Sequence, residues 1–303
     1  MTNKKWVYGS VIGAKGVNIR YAHFRKSTPS LHTLVFVNGR SEWSDKYKDL
    51  WPLLRINPEF DVLTWDHRGQ GSSEGQRAHV QTYDHFAQDG KKVIDECIGT
   101  QGKYSILAHS MGGLISLYGT LKGTFSPQEL ILSSPLLMLP DSPIKRKLYL
   151  PAAKAACSLN MGHLSPGIGG HEDSYSGNDL TKSFSGFSKV QNSKFPSISP
   201  TFGWVWASNN AIQFVNSKDG LQQLSCPTLL LGGSEESVVD PMGFSQWIRK
   251  ADKYAPHSVS FSNIHGAKHE ILNETPRVIE SAYRIIRNWY ESKDITPSAF
   301  LES

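Results

Sequence analysis

Apolar residues along this chain follow two alternating rhythms. Short unbroken runs at Leu31 to Val37, Phe60 to Trp65, Tyr104 to Ala108, Glu129 to Leu132 and Pro227 to Leu231 read as strands buried on both faces. Between them the spacing becomes helical. Thr82 or Asp84 can cap a helix that puts Phe86, Gly90, Val93, Ile94 and Cys97 on one stripe. Further helices are expected over Asp45 to Arg55, with Pro58 beyond the end, over 111–121 and near Met242 to Lys250. The last begins at Thr275, has Pro276 in its first turn and turns Val278, Ala282, Ile285, Ile286 and Trp289 inward. Residues 6–25 read as two strands joined near Ala14-Lys15-Gly16, and His257 to Phe261 as another. Strand–helix alternation of this kind predicts an α/β fold, a mostly parallel central sheet flanked by helices.

The alternation stops after Pro135. Residues 136–208 are rich in Ser, Gly, Pro, Asn and Lys, and only short periodic pieces survive, such as a helix over Leu148 to Leu159 interrupted at Pro151. A stretch that long is no ordinary connection. The expected organisation is a core of residues 1–135 and 209–303 with a lid or cap inserted at 136–208.

Composition narrows the classes. A chain of 303 residues with 39% hydrophobic and 19% charged residues can bury a large core. The formal net charge of +5 is small and scattered, so no nucleic-acid partner is expected. Cys97, Cys157 and Cys226 form no close pair, which fits reduced thiols in the cytoplasm. No signal peptide is read at the N-terminus, and no window reaches the roughly 20 apolar residues that span a bilayer. Membrane association is therefore expected to be peripheral, at the inner face. Lys145-Arg146-Lys147 could bring the lid to anionic head groups or simply face solvent. His163 and His171 have no third ligand at useful spacing, so no metal is expected.

The candidate chemistry centres on Leu107-Ala108-His109-Ser110-Met111-Gly112-Gly113. This reads as strand, sharp turn and helix, with a serine at the apex and small residues that let helix and strand approach. Ala108 replaces the usual first glycine of G-x-S-x-G. A serine needs a base, and the base needs an acid. In open α/β sheets these lie beyond the carboxyl ends of later strands. Glu235, Glu236 and Asp240 follow the run ending at Leu231, and His265 and His269 follow the strand at 257–261. An oxyanion requires N–H donors. Met111, directly after the serine, and Arg40, in the loop after the strand ending at Val37, are the candidates. The Arg40 side chain would be free to hold an anionic group or the loop.

Residues 38–47 (NGRSEWSDKY), 61–75 (DVLTWDHRGQGSSEG), 108–113 (AHSMGG) and 266–272 (GAKHEIL) resemble the bacterial lysophospholipase and monoacylglycerol-lipase branch of the α/β-hydrolases. The resemblance covers nearly the whole chain outside 136–208. It implies Ser110 as nucleophile, His269 as base and Arg40 with Met111 as the oxyanion hole. It also puts Glu236 where the family usually has aspartate, with Asp240 the alternative acid. Glu42 would help hold the oxyanion loop or lie in solvent. Asp66, His67 and Arg68 would be structural.

The resemblance further implies an ester hydrolase acting on a single-acyl-chain lipid, a lysophospholipid or monoacylglycerol, with no cofactor. Trp204 and Trp206 would line an acyl pocket or serve as packing. Rival expectations are an aminopeptidase, which would need lid carboxylates such as Glu172 or Asp173 near Ser110, a perhydrolase or C–C hydrolase, and an inactive binding or scaffold protein. Oligomeric state is left open.

Overall fold

The computed structural model describes residues 5–25, 32–50, 60–140, 142–167, 174–195 and 197–292. Eight strands form one sheet: β1 (Lys5–Ile12), β2 (Asn18–Arg25), β3 (Thr33–Val37), β4 (Asp61–Trp65), β5 (Tyr104–His109), β6 (Leu130–Ser133), β7 (Thr228–Gly233) and β8 (Val259–Ile264). Their order is β1-β2-β4-β3-β5-β6-β7-β8. The first two strands run antiparallel to their neighbours, and β4 through β8 in that order are parallel. This is the α/β-hydrolase fold.

Eight helices are described: α1 (Tyr83–Ile98), α2 (Met111–Leu121), α3 (Pro143–Ser158), α4 (Phe184–Gln191), α5 (Phe202–Val215), α6 (Lys218–Leu221), α7 (Met242–Tyr254) and α8 (Pro276–Ser292). One face of the sheet packs on α1, α2 and α7, through residues such as Val93, Leu114 and Trp247, and α5 joins the same core over α2 through Ala211. The other packs on α8, through Ala282, Ile286 and Trp289. The strands from β3 to β7 are buried along their whole length, as their unbroken apolar runs require. The Thr82 side chain accepts the Asp84 N–H and caps α1.

Three local expectations change. The helix expected over Asp45 to Arg55 begins as a 3-10 turn at Ser44–Tyr47, and residues 51–59 lie outside the described ones. The helix expected over Leu148 to Leu159 starts earlier, at Pro143, and runs through Pro151 without interruption. Pro151 is exposed, so the carbonyl that loses its helical partner can turn to water. Finally, α5 continues unbroken across residue 208, with Ala211 and Val215 already in the main core. No helix among the described residues is long and apolar enough to cross a membrane.

Candidate active site

The carboxyl ends of β3, β5, β7 and β8 converge on one rim of the sheet. Between β5 and α2, Ser110 adopts φ 54° and ψ −120°, a left-handed conformation that non-glycine residues adopt only when their surroundings enforce it. The enforcement is visible. The Ser110 N–H donates to Ser133 O of β6 at 3.0 Å. Behind the turn, a Cβ on Gly112 would lie 2.2 Å from Val37 O and 2.4 Å from Asn38 O. Only glycine lets α2 sit this close to the end of β3, and that closeness pushes the serine hydroxyl outward.

Ser110 Oγ lies 2.9 Å from His269 Nε2, and His269 Nδ1 lies 2.8 Å from Glu236 Oε2. The other carboxylate oxygen of Glu236 accepts the N–H groups of Val238 at 2.8 Å and Val239 at 3.1 Å. Burial would raise the Glu236 carboxyl, but the charge and hydrogen bond of His269 and the two amides outweigh it and hold the group below its ordinary value. A carboxylate held ionised against Nδ1–H leaves Nε2 free to accept the serine proton.

The rival residues are engaged elsewhere. Asp240 accepts from Arg146 at 3.1 Å and from the Met242 N–H at 3.0 Å. Glu235 pairs with Lys182. His265 is exposed on the turn after β8.

Gln70 braces the loop after β3. Its side-chain amide donates to Gly39 O at 3.1 Å, and its carbonyl accepts the Ser41 N–H. Gly39 C=O and Arg40 N–H belong to one trans peptide and point in opposite directions. Holding the carbonyl on the Gln70 side therefore aims the Arg40 N–H the other way. The Met111 N–H opens α2, where the first turn has no intrahelical partner.

Under this loop lies a buried ionic cluster that sequence reasoning largely missed. Glu42 accepts from the Gly39 N–H, from Tyr47 Oη at 2.6 Å and from Lys46 Nζ at 2.6 Å. Lys46 also reaches Glu270, the neighbour of His269, at 2.6 Å, and Glu270 accepts from Asn273. Burial would raise Glu42, but Lys46, with His109 and the hydrogen bonds, holds it well below the usual carboxylate range. Lys46 is only 2% exposed, although a lysine four residues after a glutamate ordinarily marks a solvated face. That sequence carries no sign of its burial.

Asp66, His67 and Arg68 do structural work. Asp66 accepts the Ser44 and Ser72 N–H groups. Arg68 grips Asp89 with two bonds. His67, lowered by burial to about 4, accepts from Trp65 Nε1 and donates to Asn38 O.

A cavity of about 210 Å³ opens at Ser110, walled by Leu136, Leu139, Tyr149, Trp204 and Val239. Trp204 donates its indole N–H to Met111 Sδ. Trp206, expected beside it, lies outside this wall, with Lys154 over its ring. The pair sits on a helix, where residues two apart point about 200° from each other.

The model of the serine aminopeptidase S33 family (Hydrolase_4) matches residues 28–276. The chain belongs to this family. It has relatives that match over most of both chains. It is 27% identical over 295 residues to the probable lysophospholipase L2 of Haemophilus influenzae, covering 91% of this chain and 90% of that one. It is 26% identical over 294 residues to the monoglyceride lipase of Homo sapiens, covering 91% and 88%. Among solved structures, a soluble variant of the Saccharomyces cerevisiae monoglyceride lipase superposes with TM-score 0.74 at 19% identity, covering 96% and 97%. A carboxyl esterase from Bacillus coagulans reaches 0.76 at 17%, covering 95% and 98%. These structural likenesses concern the fold. Glu172 and Asp173, which the aminopeptidase alternative requires, lie outside the described residues, as does His171.

Proposed function

We propose that this hydrolase cleaves the carboxylic ester of a single-acyl-chain lipid, a lysophospholipid or monoacylglycerol, through a Ser110 acyl-enzyme. The observation that supports this most is the Glu236–His269–Ser110 hydrogen-bonded run at the mouth of an apolar cavity. His269 Nε2 takes the Ser110 proton as Oγ attacks the ester carbon. The Arg40 and Met111 N–H groups receive the oxyanion. On collapse His269 returns the proton to the leaving alcohol, then activates water for deacylation, which frees the fatty acid and Ser110.

The same reading makes α3 and the start of α5 a lid, since they supply Tyr149 and Trp204 to the cavity wall. Ile144 and Leu148, both 73% exposed beside Lys145 and Lys147, would meet the lipid surface. The names of the lysophospholipase and monoglyceride lipase relatives agree with such a substrate.

The test combines labelling with turnover. A fluorophosphonate should modify the protein and fail on Ser110→Ala, and lysophospholipids or monoacylglycerols should be hydrolysed faster than amino-acid amides. No labelling of folded protein would remove the enzyme reading, and turnover of amides alone would favour the aminopeptidase.

A further inference from the structure

Arg40 borders three spaces. It lines the apolar cavity, the crevice over Ser110 and His269, and a third, small notch. The notch is otherwise formed by Ser41, Gly69, Gln70, Gly71, Arg77, Ala78, Phe195 and Ile198. Two arginines thus line one recess, and one of them, Arg40, also borders the spaces at Ser110.

Neither has an anionic partner among the described residues. Arg40 spends one N–H on Ile198 O at 2.9 Å and lies 5.6 Å from the Trp204 ring. Arg77 donates to Gly71 O at 2.9 Å and Gly69 O at 3.4 Å and sits over Phe195. Carbonyl and ring contacts fix the two heads without neutralising them. Elsewhere the contrast is clear, because Arg20 meets Asp45 and Asp66, Arg68 meets Asp89, and Arg146 meets Asp240. Burial lowers the Arg40 guanidinium, with no carboxylate opposing it. A guanidinium has five donors in a fork suited to phosphate oxygens.

We propose that Arg40 and Arg77 form a subsite for a phosphate on the leaving alcohol, which would make the substrate a lysophospholipid and disfavour an uncharged monoacylglycerol. The inference rests on the ester-hydrolase reading above. With the acyl chain in the apolar cavity and the ester at Ser110, the alcohol leaves through the crevice that Arg40 borders. A glycerol backbone separates scissile ester from phosphate, and residue 40 bridges the same interval, its N–H at the oxyanion and its guanidinium at the notch.

The experiment measures competitive inhibition of p-nitrophenyl ester hydrolysis, below micelle-forming concentrations. The probes are an alkyl-ether glycerol phosphate, which cannot be hydrolysed, and the alkylglycerol of the same chain length. Inorganic phosphate is the third arm. In the wild type the phosphate-bearing ether should bind at least about tenfold more tightly than the alkylglycerol, a scale set by charge-assisted bonds to phosphate. Arg40→Gln and Arg77→Gln should each shrink that ratio to roughly threefold or less, and Arg77→Lys should keep part of it. Inorganic phosphate alone should inhibit far more weakly.

A wild-type ratio near one overturns the proposal even if no variant folds. So does a ratio that survives both glutamine substitutions, or equal inhibition by inorganic phosphate, which would mark a free-anion site. If the ratio holds but lysophospholipids are not turned over, the subsite stands and the substrate reading of the catalytic site fails.

Discussion

At the scale of single residues, the departure from aspartate at position 236 is absorbed locally. The longer side chain still meets His269 Nδ1 at 2.8 Å while two backbone amides clamp its other oxygen. Glu236→Gln should lower kcat on a p-nitrophenyl ester by about 10³–10⁴, the cost of losing the correct imidazole tautomer. Asp240→Asn should stay within about threefold, because Asp240 serves Arg146 and the start of α7. Loss of turnover in the second variant alone would show that the acid is misassigned. On the proposed mechanism Gln70 positions the Arg40 N–H for the oxyanion, and its removal should act on the transition state. Gln70→Ala should lower kcat roughly ten- to hundredfold, short of the full loss of an oxyanion donor, with KM little changed. A rise in KM at constant kcat would refute that role. Ser110, His269 and Glu236 could be picked out in the sequence by their order along the chain and their places after strands, and the structure brings the three side chains into one hydrogen-bonded run. Gln70 and Lys46 could not, because nothing in their neighbours indicates which polar side chains will be buried.

Among elements, the decisive junction is α2 against the end of β3. A methyl group at Gly112 would collide with two backbone carbonyls, which cannot swing aside as a flexible side chain can. Gly112→Ala should therefore cost about 1–3 kcal/mol of stability, the usual penalty of overpacking, with activity falling further as the Ser110 turn relaxes. Chemical denaturation and turnover of the folded fraction separate the two effects. The ionic cluster ties another pair of elements, the turn at Ser44–Tyr47 and the loop after β8. Lys46→Met would leave Glu42 and Glu270 buried without their shared cation, and the expected loss is about 3–5 kcal/mol by urea unfolding. An unchanged midpoint would mean that the cluster contributes little. The central strands and α1, α2, α7 and α8 could be read from apolar periodicity because each buries a full face. The segment between β6 and β7 could not. Its first helix buries little, since Ala153 is the one buried residue of α3, so its pattern is weak. Trp204 and Trp206 looked like a pair only while their helix was unknown.

For the whole molecule, buried histidines set the response to acid. Burial lowers His32, His67 and His109 to about 4 each from an ordinary value near 6.5. Between about pH 6.5 and 4 the unfolded chain binds more protons at these positions than the folded one. Stability contributed by them is thus complete above about 6.5 and lost as the pH falls. Thermal midpoints should drop between pH 7 and 5, and His32→Asn should reduce that slope in part, since His79 and His85, also lowered by burial, act in the same direction beside the other two rings. A flat profile would contradict the neutral burial of these rings. The pairing of Lys46 with Glu270 spans 224 positions, and that distance has a consequence in time. During synthesis the chain emerges at about 5–20 residues per second. The 159 positions from Ser110 to His269 then amount to roughly 8–30 s. Throughout that interval the serine has no base and the buried lysine lacks its second carboxylate. On the proposed mechanism a nascent chain is therefore chemically silent until His269 has been made and has met Ser110.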